Sequence, residues 1–462
     1  MNAVLVTLLG AILFYLSQGL EDNWALAWLA PAPLLWLAYR PVPRWQVLLT
    51  SLVAFAAGQT YLVQCYWGQI PPLILIPIVA VMSAAFAIAV GFSGEAFRRG
   101  SSWAALLAFP ALWTTLEFTI ANTSPHGSFG ALGYAEVHFP AGIQIAALFG
   151  VHAVTFVLCL FANAVALLLR RQFLTGGTGV AVCTLAIAFG LVRLGEPGGP
   201  RVRVEALTNV KSGHHEHTLA AEEAVTQAYA AHIEGLKGVS IVAIPEGAVQ
   251  MQAGDSETVL APLAAAAKAS GAMVVVGTLT PEPIQNRAFA FLPQGTVKTY
   301  EKRHLLLPFE TEAPGREPGL LGGGYATQIC KDMDFAGTVR TTAEHGVRLM
   351  IVPANDFRKD GWIHARMAIM RGVENGFAVL RSADNGLETV SDAQGRILAS
   401  ASTTEPGVIT AEVEVPLGPG PTLYTRIGDV FCWLCAVLSV ALCAFLGRPR
   451  IQLNASPHFR II

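Results

Sequence analysis

Residues 241–246, Ile241-Val-Ala-Ile-Pro-Glu246, form a short apolar run that ends in a proline and an acid. Such a run is typical of a buried strand in an α/β sheet. The acid that follows it is predicted at the sheet rim, where side chains converge on clefts. Taken alone, Glu246 is more commonly a helix cap or a rim charge. Its importance therefore depends on what ends the neighbouring strands.

Two further predicted strand ends carry reactive side chains. Lys302 follows a strand in Tyr300-Glu-Lys302-Arg-His304, and Cys330 ends another in Gln328-Ile-Cys330-Lys-Asp332. A lysine at a strand end is usually a solvated charge, and a cysteine is as often a buried structural thiol. We predict that Cys330 is partly exposed beside a helix N-terminus, which would lower the pKa of its thiol.

Strands and helices alternate through residues 201–415, between Gly/Pro-rich segments at 195–200 and 416–421. This alternation predicts an α/β domain with a mixed sheet, or two packed sheets flanked by helices. Hairpins are predicted at Pro293-Gln-Gly295 and Asp392-Ala-Gln-Gly395. The predicted strands are 201–208, 240–245, 272–279, 286–292, 296–302, 325–330, 348–354, 377–383, 387–391, 396–400 and 407–415, and the predicted helices are 217–236, 256–270, 335–345 and 362–375.

The rest of the chain has a different composition. Over the whole chain of 462 residues only 13% are charged, whereas a soluble protein has about 25%. The deficit lies in the first 195 residues, since the first lysine is Lys211, and the mean hydropathy is +0.50. A membrane part and a soluble part are therefore predicted. The net charge of −2 gives no indication of a nucleic-acid partner.

Several apolar runs are long enough to cross a bilayer, which takes roughly 20 residues. We predict a membrane domain of about seven transmembrane helices at 1–194, a catalytic domain at 201–415 and a closing transmembrane helix at 427–446. The first run has no basic segment before it and no small-residue cleavage site, which favours a retained helix over a signal peptide. The first seven spans are predicted near 3–20, 24–39, 46–66, 70–92, 103–121, 143–169 and 178–194.

The arginines predict the orientation of these spans. Loops on one side carry arginine pairs, whereas the loops at 19–23, 67–71 and 122–140 have no lysine or arginine. By the positive-inside rule, the basic loops and both termini are cytoplasmic. The soluble domain is then outside, which in a bacterium is the periplasmic side of the inner (plasma) membrane. The arginines are Arg40, Arg44, Arg98, Arg99, Arg170, Arg171, Arg448 and Arg450.

Cys330 is the only one of the seven cysteines in the predicted soluble domain. A lone thiol in an oxidising compartment is prone to oxidation unless it is buried or has a function such as catalysis. Together, Cys330, Glu246 and Lys302 could carry out a nucleophilic attack on a carbonyl group. Glu246 could take the thiol proton, the thiolate could attack a carbonyl, and Lys302 could stabilise the oxyanion on the way to a thioester.

The order Glu246, Lys302, Cys330 in these contexts resembles the nitrilase, or carbon–nitrogen hydrolase, superfamily. Motifs in the apolar part resemble, more narrowly, the apolipoprotein N-acyltransferase family. The resemblance runs from about residue 5 to residue 446 and implies several membrane helices, an α-β-β-α sandwich and one closing helix. The motifs are Trp28-Leu-Ala-Pro-Ala-Pro33-Leu-Leu-Trp36, Ala111-Leu-Trp113-Thr-Thr-Leu-Glu117, Leu132-Gly-Tyr134 and Leu148-Phe-Gly150-Val-His-Ala-Val-Thr-Phe156.

The resemblance assigns roles residue by residue. Glu246 matches the family's general base, Lys302 its oxyanion lysine and Cys330 its nucleophile. Glu310 matches a further glutamate, eight residues after the lysine, although the local run reads Leu307-Pro-Phe-Glu310. Asp332 stands where the family's Cys-Tyr-Glu run has its glutamate. Scaffold positions that follow the family pattern are Asn355-Asp356, His364, Arg366, Arg371, Glu374-Asn375, Arg381 and Asn385-Gly386.

Two departures from the family pattern stand out. Lys331 replaces the tyrosine of Cys-Tyr-Glu, where it could lower the pKa of the thiol or merely face water. The family's Phe-Pro-Trp run before Leu-Gly-Tyr is absent, and this chain reads Ser124-Pro-His-Gly-Ser-Phe129. These departures bear on the acyl acceptor and on lipid contacts more than on the thiol chemistry.

The resemblance implies an N-acyltransferase. A phospholipid would donate an acyl chain to Cys330, and the N-terminal amine of a diacylglyceryl-cysteine lipoprotein would accept it. A membrane-tethered amidase or nitrilase that uses water, and a catalytically silent lipid- or lipoprotein-binding module, are the alternatives. No cofactor or metal is predicted, although His214-His-Glu-His217 resembles a metal cluster. Glu117 lies inside a predicted span and is either functional or a helix-packing partner.

Overall fold

The computed structural model describes residues 2–196, 198–208, 217–251, 254–281, 284–307, 309–311, 313–403, 407–416 and 421–448. Residues 214–216 of the histidine-rich run, most of the second Gly/Pro-rich segment and Arg450 lie outside this description. The described chain folds into a helical part and an α/β part.

Within the described residues, six helices are long and apolar enough to cross a membrane. One of the six is formed by α4 and α5 together, and the other five are α6, α7, α10, α11 and α17. Two other predicted spans are shorter apolar helices, α1 and the pair α2–α3. The helices are α1 Ala3–Gln18, α2 Trp24–Ala27, α3 Ala32–Ala38, α4 Arg44–Gly58, α5 Thr60–Tyr66, α6 Pro72–Arg98, α7 Ser102–Thr123, α8 Pro140–Ile143, α9 Ala146–Phe149, α10 Val151–Leu169, α11 Phe173–Leu194, α12 Leu219–Glu234, α13 Ser256–Ser270, α14 Ala336–Ala343, α15 Gly361–Asn375, α16 Leu423–Ile427 and α17 Val430–Gly447.

The run predicted as one span over 143–169 is divided at Gly150. This residue has a φ of 78°, and it separates α9 from α10. Glycine tolerates that left-handed conformation because it has no Cβ. A Cβ at this position would also meet the ring of Tyr424 at 2.7 Å. The close approach therefore packs the short helix α16 against the break.

The α/β part consists of two six-stranded sheets, ordered β12-β1-β2-β3-β4-β5 and β11-β10-β9-β8-β7-β6. Both mix parallel and antiparallel pairs, which confirms the predicted α/β class. The strands are β1 Arg201–Leu207, β2 Ile241–Gln250, β3 Met273–Pro281, β4 Ile284–Phe291, β5 Val297–Glu301, β6 Leu320–Gly322, β7 Tyr325–Thr327, β8 Leu349–Asn355, β9 Ala378–Asp384, β10 Leu387–Ser391, β11 Ile397–Ser402 and β12 Val408–Glu414.

Three apolar layers hold this domain together. One layer lies between the two sheets and includes Val275 of β3 and Ile351 of β8. A second lies between α12, α13 and the first sheet, and a third between α14, α15 and the second sheet. The order is α-β-β-α, as the family resemblance implied. The two predicted hairpins are confirmed as the antiparallel pairs β4–β5 and β10–β11.

Two local predictions are wrong, and one short strand was not predicted. Strand β2 does not end before Glu246 but continues to Gln250, with an irregular register between Ile244 and Val249. The strand predicted over 325–330 ends at Thr327, because residues 330–334 form a 3-10 helix. The short strand β6 was not predicted, since its Leu-Leu-Gly sequence carries no alternation.

Helix α15 joins the two parts of the molecule. Its Arg371 donates to Ser128 (3.1 Å) and to Tyr134, both from the segment that follows α7. Its Glu374 accepts a 2.7 Å bond from the Val151 N–H at the start of α10. Because these groups are buried, charge-assisted bonds of this kind are strong and directional. They fix the α/β domain against the helical part, and a cavity opens at that junction.

Candidate active site

The cavity at the junction has a volume of about 980 Å³. Its apolar lining comes from α5 and α6, through residues such as Tyr66, Ile78 and Met82. Its polar lining includes four of the five predicted site residues, namely Glu246, Lys302, Glu310 and Cys330. Asp332 is not among the lining residues. The cavity therefore has one apolar side and one polar side that carries the reactive groups.

One polar side, which we term the carboxylate wall, consists of Glu246, Asn286, Lys302 and Glu310. Lys302 Nζ lies 2.7 Å from Glu246 Oε1 and 2.7 Å from Glu310 Oε1. The Asn286 amide donates to the same two oxygens, at 2.7 and 2.8 Å. The Leu306 N–H donates to Glu310 Oε2 at 2.6 Å. Each group is held by more than one bond, so the wall is preorganised.

The carboxylate wall keeps Lys302 charged. Its side chain is only 4% exposed, and burial disfavours the ammonium. The carboxylates of Glu246 and Glu310 and the nearby Cys330 sulfur outweigh burial and raise the pKa of Lys302 above its ordinary value. With two carboxylates and one ammonium, the wall carries a surplus negative charge.

Glu246 reaches the wall because its backbone passes very close to β3. A Cβ at Gly277 would lie 2.5 Å from the Glu246 Cα and 2.5 Å from the Pro245 carbonyl oxygen. Only glycine fits there, and it lets the irregular stretch of β2 turn its acid inward.

Cys330 lies in a strained turn, where its φ of 42° is in the left-handed region. Non-glycine residues there cost on the order of 1–3 kcal/mol and cluster at functional sites. The half-buried thiol is 3.6 Å from the Asn355 carbonyl oxygen. The expectation of a lowered thiol pKa is wrong. Burial and the Glu246 carboxylate together raise it well above its ordinary value, against the opposing effect of Lys302.

Asp332 is separate from the reactive groups and acts as a buried clamp. Its Oδ2 accepts from the Tyr300 hydroxyl (2.7 Å) and the Ile329 N–H (3.1 Å). Its Oδ1 accepts from the Arg303 and His304 N–H groups, at 3.1 and 2.8 Å. Burial raises the pKa of Asp332 to about 6, although these bonds favour the carboxylate. Asp332 thus ties the Cys330 turn to the segment that follows Lys302.

A second polar side, which we term the histidine wall, consists of His126, Lys331, Asp334, Asp360 and His364. Lys331 Nζ donates to His126 Nδ1 at 3.3 Å and lies 3.7 Å from Asp334 Oδ2. His364 contacts Asp334 Oδ1 and Asp360 Oδ2, both at 3.4 Å. All five residues line the cavity.

Protonation states in the histidine wall differ between its two imidazoles. Burial and the neighbouring Lys331 lower the pKa of His126 to about 4. Burial also opposes charge on His364, but Asp334 and Asp360 outweigh it and raise the pKa to about 10. At neutral pH, His126 is therefore neutral and His364 is charged.

Sequence reasoning assigned no site role to His126, and it treated His364 as scaffold. The available signal was that both departures from the family pattern, the run Ser124-Pro-His-Gly-Ser-Phe129 and Lys331, bring in polar side chains. Their contact across 205 positions of sequence required the fold to be seen.

Glu117 and His217 are held by neighbouring groups away from the thiol. Glu117 accepts bonds from the Leu132 N–H (2.9 Å) and the Thr155 hydroxyl (2.8 Å) and contacts His152. These partners favour the helix-packing interpretation. Of the histidine-rich run, only His217 is described, and it contacts Glu222 at 2.7 Å. Among the described residues, no group of three or more His, Cys, Asp or Glu is placed to hold a metal ion.

Comparisons with known proteins agree with this architecture. The apolipoprotein N-acyltransferase N-terminal domain family matches residues 10–164, and the carbon-nitrogen hydrolase family matches residues 206–417. The apolipoprotein N-acyltransferase of Geobacter metallireducens is 27% identical, covering 96% of this chain and 95% of the relative. That of Shewanella oneidensis is 24% identical, covering 82% and 81%.

A solved structure of a nitrilase-superfamily member from Saccharomyces cerevisiae is 20% identical, with a TM-score of 0.41, and covers 50% of this chain and 96% of its own. The decisive comparisons are those of sequence, because they match both parts of the chain in the same order as the helical part and the sandwich. With these two domains and a similarity that spans nearly its full length, the chain is similar in both of its parts to the apolipoprotein N-acyltransferases.

Proposed function

We propose that this chain transfers an acyl chain from a membrane phospholipid, through a thioester on Cys330, to the N-terminal amine of a diacylglyceryl-cysteine lipoprotein. The observation that carries the proposal is the cavity itself. Glu246, Lys302 and Cys330 face a space whose other side is formed by apolar residues of membrane-type helices. A lipid ester can enter such a space with its chains against the helices and its carbonyl at the sulfur.

The first half-reaction follows from the raised thiol pKa. Because the thiol is protonated in the resting cavity, Glu246 must take its proton as the sulfur attacks the ester carbonyl. The developing oxyanion is stabilised by Lys302, a contribution worth about 3 kcal/mol for one such donor. The C–S bond forms, the ester C–O bond breaks, and the leaving glycerol oxygen takes the proton from Glu246.

The second half-reaction reverses these roles. The acceptor amine first loses its extra proton to water, and the neutral amine then attacks the thioester carbonyl, forming the C–N bond as it gives a second proton to Glu246. Lys302 again stabilises the oxyanion, the C–S bond breaks, and the sulfur takes the proton back. The surplus negative charge of the carboxylate wall favours the approach of a cationic amine. Glu310 contributes by holding Lys302 in place.

The membrane arrangement is part of the proposal. Residues 1–194 form the membrane domain, 201–415 the catalytic domain and 427–446 the closing span. The catalytic domain lies on the periplasmic side of the inner membrane and both termini lie in the cytoplasm. The arginine clusters support this orientation, since Arg44, Arg98 and Arg99 gather around Glu95 at one end of the helices.

The proposal is tested by supplying the purified protein with a phospholipid labelled in its acyl chain and a diacylglyceryl-cysteine peptide. We expect label on the peptide's α-amine, and none when that amine is acetylated beforehand. Cys330→Ala should be inactive, and Cys443→Ala, which removes an exposed free cysteine of α17, should be active. Release of free labelled fatty acid at an unchanged rate without the peptide would instead identify a hydrolase.

A further inference from the structure

The histidine wall begins immediately beside the nucleophile. Lys331 follows Cys330 in sequence, its side chain is 7% exposed, and it lines the cavity together with His126. An ammonium has three N–H donors, and here one is directed at His126 Nδ1. Because Nδ1 accepts this bond, the proton of the neutral imidazole is on Nε2, which makes His126 a second donor. The pair therefore offers hydrogen-bond donors and a positive charge within reach of the reacting sulfur.

The order of charges along the wall places the positive end at Lys331. Asp334 lies between two cations, 3.7 Å from Lys331 and 3.4 Å from His364. The second carboxylate, Asp360, lies beyond His364, at the end of the wall away from Lys331. On the other side of Cys330, the carboxylate wall has two carboxylates and one ammonium. An anionic group held near the thiol is therefore repelled from that side and attracted to Lys331 and His126.

Resting on the proposed function, we propose that Lys331 and His126 form a subsite for the phosphodiester of the acyl donor. In a glycerophospholipid only a few single bonds separate the phosphate from either ester carbonyl. A phosphate bound at Lys331 therefore leaves the ester at the sulfur of Cys330. The same contact holds the lysophospholipid until it departs. A single cation with a donor at its side suits one phosphodiester charge.

The test compares two donors with identical labelled acyl chains, a phospholipid and a diacylglycerol, by the rate at which each labels Cys330 without acceptor. The wild type should label faster with the phospholipid. Lys331→Met should label about tenfold more slowly with the phospholipid, as expected for loss of a charge-assisted bond, and unchanged with the diacylglycerol. Lys331→Arg should restore most of the rate. His126→Gln should show the same selective loss to a smaller degree.

The controls separate this subsite from the proposed function. Lys298→Met removes an exposed lysine of β5 and should change neither rate. An equal loss of labelling rate with both donors in Lys331→Met would overturn the subsite but not the proposed function. Equal labelling rates with the two donors in the wild type would do the same. Absence of label with every donor would overturn the proposed function. Inorganic phosphate should slow only the phospholipid reaction, and only weakly because it lacks the lipid chains, whereas strong inhibition together with equal wild-type rates for the two donors would assign the site to free phosphate instead.

Discussion

The two walls of the cavity differ in how tightly they are built. In the carboxylate wall the bonds run from 2.6 to 2.8 Å, and each acid has several partners. Between the side chains of the histidine wall the contacts are longer, from 3.3 to 3.7 Å, although Asp360 also accepts a 2.8 Å bond from the Phe357 N–H. A preorganised group stabilises a transition state without reorganisation, whereas a looser group can adjust to a ligand. This difference agrees with our proposals, which place the chemistry on the first wall and recognition of the donor on the second.

The largest effect should come from removing the base. Glu246→Gln should slow acylation of Cys330 about 10²–10⁴-fold, the range for loss of a general base. It should also lower the pKa of the thiol, because one of the charges that raises it is gone. Labelling with acyl phospholipid measures the first effect, and the pH dependence of iodoacetamide alkylation measures the second. Wild-type alkylation should keep rising with pH above 9, and a plateau near pH 7 would contradict the raised pKa.

Replacing Lys302 and Lys331 one at a time should distinguish the functions of the two walls. Lys302→Met should slow labelling about 10²–10³-fold, and equally with phospholipid and diacylglycerol, because the oxyanion is the same for both donors. Lys331→Met should affect the phospholipid alone. The ratio of the two labelling rates is the measurement. If Lys302→Met changed donor preference and Lys331→Met did not, the assignment of chemistry and recognition would be reversed.

A smaller effect should follow from loosening the clamp beneath the carboxylate wall. Asp332→Asn places an amide donor against groups that themselves donate, so at least one of four hydrogen bonds is lost, at about 1–3 kcal/mol. We expect a lower unfolding temperature and slower labelling with either donor. Asp255→Asn is the matched control, since that residue makes no side-chain cap bond at α13. An unfolding temperature of Asp332→Asn equal to that of the wild type would show that Asp332 is not a clamp.

The smallest effect should be the titration of the histidine wall. The pKa of His364 is raised from 6.5 to about 10, so protonation favours the folded state. This contribution is complete below pH 6.5 and is lost as pH rises through about 10. The stability advantage of the wild type over His364→Gln should therefore shrink from pH 7 to pH 10, by a few degrees in unfolding temperature. A constant difference across this range would contradict the charged state of His364.

Three of the four members of the carboxylate wall were named from sequence, Glu246 and Lys302 at predicted strand ends and Glu310 through the family resemblance, whereas Asn286 was not. The alternation of strands and helices predicted a mixed sheet or two packed sheets flanked by helices, and the family resemblance implied the α-β-β-α order. The predictions that failed concern local structure. No pattern showed that β2 continues past Pro245, and its irregularity depends on Gly277 of a neighbouring strand. The sign of the thiol pKa shift also depended on burial, which sequence does not reveal.

The histidine wall was not predictable, since its contacts are tertiary. His126 comes from the segment after α7, Lys331 from the turn after β7, and His364 from α15. Their meeting depends on how α15 docks against the helical part through Arg371 and Glu374. Only the two pairs that are close in sequence, Asp360 with His364 (i, i+4) and Lys331 with Asp334 (i, i+3), could have been paired from spacing.

The central claim is that the sulfur of Cys330 carries the acyl chain between donor and acceptor. The most direct measurement is the intact mass of the protein after incubation with acyl phospholipid and no acceptor. The account predicts one added acyl group that hydroxylamine removes, present in the wild type and Cys443→Ala and absent in Cys330→Ala. An acyl group that persists in Cys330→Ala, or that resists hydroxylamine, would contradict it.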